Sequence, residues 1–118
     1  MRIRSVIAVS GETDIVTDGV HTVILRNGCA TMARITGSGC MVTSLIGGFC
    51  GADRENPFRA VVSAMTVMGL AGEIAEKQRL KKGTGNATFR TDLIDAVFNM
   101  APEQVDKGIR CQEDRGNA

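Results

Sequence analysis

The sequence predicts an α/β fold, with a few strands at the N-terminal end followed by a helical C-terminal half. Three observations carry this. The run Ser5-Val6-Ile7-Ala8-Val9 is continuously apolar and rich in β-branched residues. Two strand-like segments then flank Asp18-Gly19, a strong hairpin signal. From Gly39 onward, apolar residues recur at helical spacing, punctuated by Pro57, Gly83 and Pro102. A chain of 118 residues, 43% of them hydrophobic, is one domain at most, with enough apolar side chain for a core.

In chain order, the first run ends at Ser10-Gly11 and reads as a strand buried on both faces. The carboxyl end of such a strand is where an open α/β sheet binds ligands. Asp14–Asp18 and His21–Leu25 form the hairpin, and Arg26-Asn27-Gly28 turns the chain again. The segment from Gly39 to about Gly51 is apolar almost all round, predicting a buried helix whose Gly47 and Gly48 admit a close backbone neighbour. A second helix starts at Pro57 behind Asn56 as its N-cap and runs to about Lys82. Its basic end, Lys77 to Lys82, suits the C-terminal dipole, and Gly83 closes it. Residues 83–87 read as a flexible connection, and Thr91–Phe98 carries the stripe of another amphipathic helix. Pro102 and Glu103 open a last short helix, and residues 112–118 read as a frayed tail.

The chemistry gathers at Ile35-Thr36-Gly37-Ser38-Gly39-Cys40-Met41-Val42, between the strand-rich part and the first helix. Two glycines one residue apart let the backbone turn tightly and present bare N–H groups, as phosphate-binding helix starts do. Thiols in the first helical turn are the reactive kind, which singles out Cys40. Cys29, Cys50 and Cys111 read as small buried hydrophobes.

Other functions are excluded in turn. A net charge of +1, no basic runs and no Trp or Tyr argue against nucleic acid or an anionic membrane as partner. No signal peptide is visible, and no apolar stretch reads as long enough to span a bilayer. The four cysteines form no CxxC pair and no ligand-spaced cluster with His21, so no metal site is predicted and a reduced, cytoplasmic chain is expected. A Walker loop needs Lys-Ser/Thr after its second glycine, where Cys40-Met41 stands. Val42 occupies the place of the third glycine of a dinucleotide fingerprint and the last glycine of a nucleophile elbow.

Val9-Ser10-Gly11-Glu12, Asp14-Ile15-Val16-Thr17-Asp18-Gly19 and Thr36-Gly37-Ser38-Gly39-Cys40, in that order and spacing, resemble the C-terminal part of hydroxyethylthiazole kinase. The resemblance fades after about Met100. It implies a partial ribokinase-like fold and ATP-dependent phosphorylation of the hydroxyethyl group of 4-methyl-5-(2-hydroxyethyl)thiazole, in thiamine salvage. By the same resemblance Gly37 lies against the thiazole, and the Gly37, Ser38 and Gly39 amides form an anion hole for the γ-phosphoryl group. Cys40 takes the base position beside the substrate hydroxyl, where most of the superfamily has aspartate. Ser10 contacts ATP where the family commonly has threonine, with the hydroxyl kept. A thiolate is a mediocre base for an alcohol, so Cys40 assists and orients more than it drives the reaction.

The resemblance also implies what is missing: most of the central sheet, the rest of the thiazole pocket, an arginine on the ATP phosphates and the acidic residues that organise magnesium. Residues 1–118 therefore read as the C-terminal portion of a single kinase domain, with negligible activity expected alone. The full-length family is expected to be a homotrimer with its active site between subunits. Two other classes stay open: a nucleotide-binding or assembly module without turnover, and a thiol enzyme using Cys40, for which no base is evident.

Overall fold

A computed structural model describes residues 5–115. Local chemistry makes the hairpin. The Asp18 carboxylate accepts the Val20 and His21 N–H groups at 2.9 and 2.7 Å, and Thr17 Oγ1 accepts the Gly19 N–H at 3.1 Å. These bonds fix a turn that any tetrapeptide would otherwise visit only fleetingly. The turn joins β2 (Asp14–Thr17) to β3 (His21–Leu25), paired antiparallel with Val16 opposite Val23. β1 (Ile7–Val9) pairs antiparallel with β2.

A 3-10 turn (Ala30–Arg34) leads to α1 (Ser38–Ala52), α2 (Pro57–Lys82), α3 (Asn86–Phe98) and α4 (Pro102–Gly108). β4 (Cys111–Arg115) then returns to pair antiparallel with β3, giving a four-stranded sheet in the order β1-β2-β3-β4.

α2 is the organising layer. One face packs on the sheet, with Val61 and Met65 against Val16, Val23 and Leu25. Further along, Met68, Ala71 and Ala75 meet Ile35 and the α3 residues Phe89, Leu93 and Ala96. By length and composition α2 is apolar enough to cross a membrane, which the sequence reading did not anticipate; 67% of its apolar window is buried inside the fold.

The hairpin and the limits of α2 fall where the sequence puts them, with Pro57 at the start and Gly83 at the end in left-handed conformation. Asn56 holds the N-cap position without a side-chain cap bond.

Five expectations are corrected. Of the expected frayed tail over 112–118, residues 112–115 pair their backbone with β3, with Arg110 anchoring the strand's start, and residues 116–118 lie outside the described residues. Asn27 ties this region together: its amide donates to Glu73 and Gly108, its Oδ1 accepts the Arg110 N–H, and Arg110 pairs with Glu73. α3 begins at Asn86, a turn earlier than Thr91, because Phe89 is fully buried against α2 and draws that turn into the helix. β1 is not buried on both faces; all three of its residues are exposed, since only β2 adjoins it. α1 has no buried residue: Met41, Val42, Leu45 and Ile46 lean half-buried on the core, and an added Cβ at Gly47 or Gly48 would meet nothing within 4 Å. Of the three cysteines read as buried, Cys111 is exposed on β4 and Cys29 and Cys50 are only half-buried.

Two carboxylates contribute stability that is lost in acid. The His21 N–H holds the Asp18 carboxyl down to about 2, aided by the Val20 N–H. The Arg79 guanidinium does the same for Glu76, also to about 2, aided by Thr31. Both groups have lower values folded than unfolded, so their contribution is complete above the unfolded values, roughly 4. It is lost as pH falls from there towards 2. Asp14, raised by burial, works in the opposite sense. Thermal melts between pH 5 and 2 should show a falling Tm, and Asp18→Asn should flatten the slope.

Candidate functional site

The glycine turn is held from both sides. Ile35, 8% exposed, is clamped among Met68, Ala71, Phe89 and Leu93, while Met41, Val42 and Leu45 of α1 pack on the same cluster. Between these anchors Gly37 adopts φ +90° and ψ 6°, a left-handed conformation that costs a residue with a side chain about 1 kcal/mol or more.

The Met41 N–H already donates to the Gly37 carbonyl at 2.9 Å. Among the described residues, the N–H groups of Ser38, Gly39 and Cys40 make no well-formed hydrogen bond to a protein acceptor; the Thr36-Gly37 turn leaves at most a weak one to the Ile35 carbonyl. No side chain caps this helix start. The helix start therefore keeps open donors and its partial positive charge.

Two clefts flank the turn. The first, about 690 Å³, is lined by Ser10, Asp14, Cys29, Ser38, Gly39 and Met65, with Asn27, Gly28 and Gly69 among its other walls. The second, about 520 Å³, is lined by Gly37, Cys40, Leu45, Arg90, Leu93 and Val97. Met68 contributes to both. The structure thus brings Ser10 together with Ser38 and Gly39, and Gly37 together with Cys40. One helical turn stands between the two groups.

Asp14 and Arg90 are site-lining residues that the sequence reading did not single out. The Asp14 carboxylate accepts the Gly11 N–H at 3.1 Å, and burial raises its pKa against that bond. A carboxylate five residues after a strand end was the available signal. Arg90 has no carboxylate partner among the described residues and shares the cleft of Cys40. Nothing local marks it, because α3 reaches that cleft only through packing on α2.

The cysteines differ in kind. Cys40 is exposed at the helix start, whereas burial pushes the Cys29 thiol up and its Sγ donates to the Gly72 carbonyl. His21 lines neither cleft; its ring pairs with Asp18 and tilts against Phe58. No group of three or more His, Cys, Asp or Glu among the described residues is placed to hold a metal.

Fold and turn define the class: an α/β chain with an open helix start beside the carboxyl end of a sheet strand, the arrangement that binds anionic ligands. A model of the Hydroxyethylthiazole kinase family matches residues 1–103, and the chain belongs to that family. It is 41% identical over 109 residues to a hydroxyethylthiazole kinase of Desulfotalea psychrophila, covering 92% of this chain and 38% of the relative. A hydroxyethylthiazole kinase of Clostridium beijerinckii is 40% identical, covering 95% of this chain and 40% of the relative. The solved hydroxyethylthiazole kinase protein of Pyrococcus horikoshii superposes with a TM-score of 0.81 at 30% identity, covering 94% of this chain and 41% of that one. The chain therefore spans about two-fifths of the length of these relatives.

Proposed function

We propose that this chain is the phosphoryl-binding portion of a hydroxyethylthiazole kinase, a partial ribokinase-like fold that acts in thiamine biosynthesis. The enzyme would transfer the γ-phosphoryl group of ATP to the alcohol of 4-methyl-5-(2-hydroxyethyl)thiazole. The observation that carries this reading is the set of open Ser38, Gly39 and Cys40 amides between two clefts. A group passing from a nucleotide on one side to an alcohol on the other must cross that helix start.

In this reading the Ser10 side takes ATP and the Gly37–Cys40 side takes the thiazole, whose ring suits the apolar walls from Leu45, Leu93 and Val97. Both volumes lie in the range of small-molecule sites. The amides of Gly37, Ser38 and Gly39 bind the γ-phosphoryl oxygens and hold them in line with the alcohol. Phosphoryl transfer needs little else from a protein than such positioning and charge stabilisation. Cys40 orients the hydroxyl and accepts its proton at Sγ.

Magnesium would neutralise the transferring phosphates, but the described residues gather no ligand set for it. The chain's own part is to bind and orient. The same reading carries a cytoplasmic homotrimer with the active site between subunits.

A thiol enzyme would need a base near Cys40, and His21 is not in its cleft. Alkylation of Cys40 separates the readings. Nucleotide affinity should survive it, while thiazole phosphorylation by the kinase completed with its remaining length should fall about 100-fold. Loss of nucleotide binding on alkylation would contradict the placement of ATP on the Ser10 side.

A further inference from the structure

We infer that Arg90 makes the cleft beside Cys40 selective for a phosphate ester, so that it holds the phosphorylated form of its ligand more tightly than the alcohol. The identity of the ring rests on the kinase reading. The charge pattern of the cleft stands without it.

α3 carries two adjoining stripes. Phe89, Leu93 and Ala96 are buried towards α2, at the spacing of one helix face. Arg90, Ile94 and Val97 follow one residue on at the same spacing and line the cleft that α3 forms with the start of α1. Arg90 is exposed there. Nothing on its own helix neutralises it: one turn away in either direction, positions 86, 87, 93 and 94 hold Asn, Ala, Leu and Ile. The Asp92 carboxylate lies 4.0 Å from Lys82 Nζ instead. Among the described residues Arg90 has no ion pair and no side-chain hydrogen bond.

The elements facing it add no counter-charge. α1 contributes Cys40, Met41, Ser44 and Leu45 to the cleft, and α2 contributes Met68. Arg90 is therefore the single Lys, Arg, Asp or Glu side chain in this wall. The cleft across the glycine turn has the opposite sign, since its charged lining residues are Glu12 and Asp14. A bare phosphate is repelled on the Ser10 side and attracted on the Arg90 side.

Ligand chemistry turns that asymmetry into selectivity. A neutral aromatic alcohol gains from the apolar walls of Leu45, Leu93 and Val97 and has no use for a cation. Its phosphate monoester keeps the same ring contacts and adds a charge of about −1.5 to −2 at neutral pH. A guanidinium meets such a group well, because its planar fork of N–H donors matches two phosphate oxygens at once. The partial positive charge of the α1 start acts in the same direction.

The test titrates the 118-residue chain calorimetrically with 4-methyl-5-(2-hydroxyethyl)thiazole, with its phosphate ester and with phenyl phosphate. The unaltered chain should bind the thiazole ester about tenfold more tightly than the alcohol. Arg90→Gln should abolish that difference by weakening the ester alone, and Arg90→Lys should keep part of it. Melting of both variants should match that of the unaltered chain, because Arg90 is exposed and unpaired. A preference for the ester that survives in Arg90→Gln would overturn the inference. So would equal losses for ester and alcohol, or an unaltered chain that binds neither ester. The kinase reading fails separately. If phenyl phosphate binds as tightly as the thiazole ester, through Arg90 and with no binding of the alcohol, Arg90 keeps its role and the thiazole is discarded. Binding of the alcohol alongside an ester indifferent to Arg90 would do the reverse.

Discussion

Phe89→Ala should lower the unfolding free energy by about 3–5 kcal/mol, the usual cost of emptying a fully buried aromatic site. Phe89 is 0% exposed and belongs to the cluster that joins Ile35, Met68, Ala71 and Leu93. Its removal leaves a void between α2 and α3 that straight helices cannot close without shifting. Because Ile35 anchors the glycine turn in the same cluster, the loss should reach the site. Urea unfolding of the two proteins measures the first effect. A conservative Phe89→Leu should recover more than half of the loss, since it refills most of the void. Stability unchanged by Phe89→Ala would mean that α3 does not pack as described.

Gly69→Ala should be nearly as damaging although it adds a single methyl group. A Cβ there would lie 2.8 Å from Asn27 Cβ and 2.9 Å from the Asn27 carbonyl carbon and oxygen. Those atoms are backbone or adjoin it, so α2 and the Asn27-Gly28 turn must move apart. Overpacking of this kind costs about 1–3 kcal/mol. The displaced turn carries the Asn27 bonds to Glu73, Gly108 and Arg110, and it also walls the Ser10 cleft. The expected result is a lower Tm together with a weaker affinity for ATP. Gly72→Ala is the contrast: its Cβ would meet the flexible end of Met32, which can swing aside, and the loss should be smaller.

Much of this was legible in the sequence where the cause is local. Asp18-Gly19 makes its turn from its own side chain and its neighbours' N–H groups. Pro57 and Gly83 bound α2 through their own backbone preferences, and Gly37 adopts the conformation its type permits. Where the cause is distant, the sequence was silent. Residues 112–115 are polar enough for a tail and become a strand only because β3 offers an edge and the Asn27 network holds Arg110. Asn86 and Ala87 read as connection and become helix because Phe89 is buried on α2. The apolar runs of β1 and α1 were read as buried, whereas here β1 is exposed along its whole length and α1 leans on the core only half-buried.

The candidate site divides in the same way. The glycine turn and Cys40 were read from the residues themselves and Ser10 through resemblance, and the structure sorts Ser10, Gly37, Ser38, Gly39 and Cys40 into two clefts on either side of one turn. Asp14 and Arg90 escaped, because a residue whose place at a site depends on packing between elements leaves no mark in its own neighbours.

The central claim is that the open amides at the start of α1 receive a phosphate. Its most direct test is a titration of the ¹⁵N-labelled chain with ATP and, separately, with adenosine, following the amide resonances. ATP should move the Ser38, Gly39 and Cys40 signals, and adenosine should leave them in place. Signals that stay still with ATP, or that move equally with adenosine, would contradict the account.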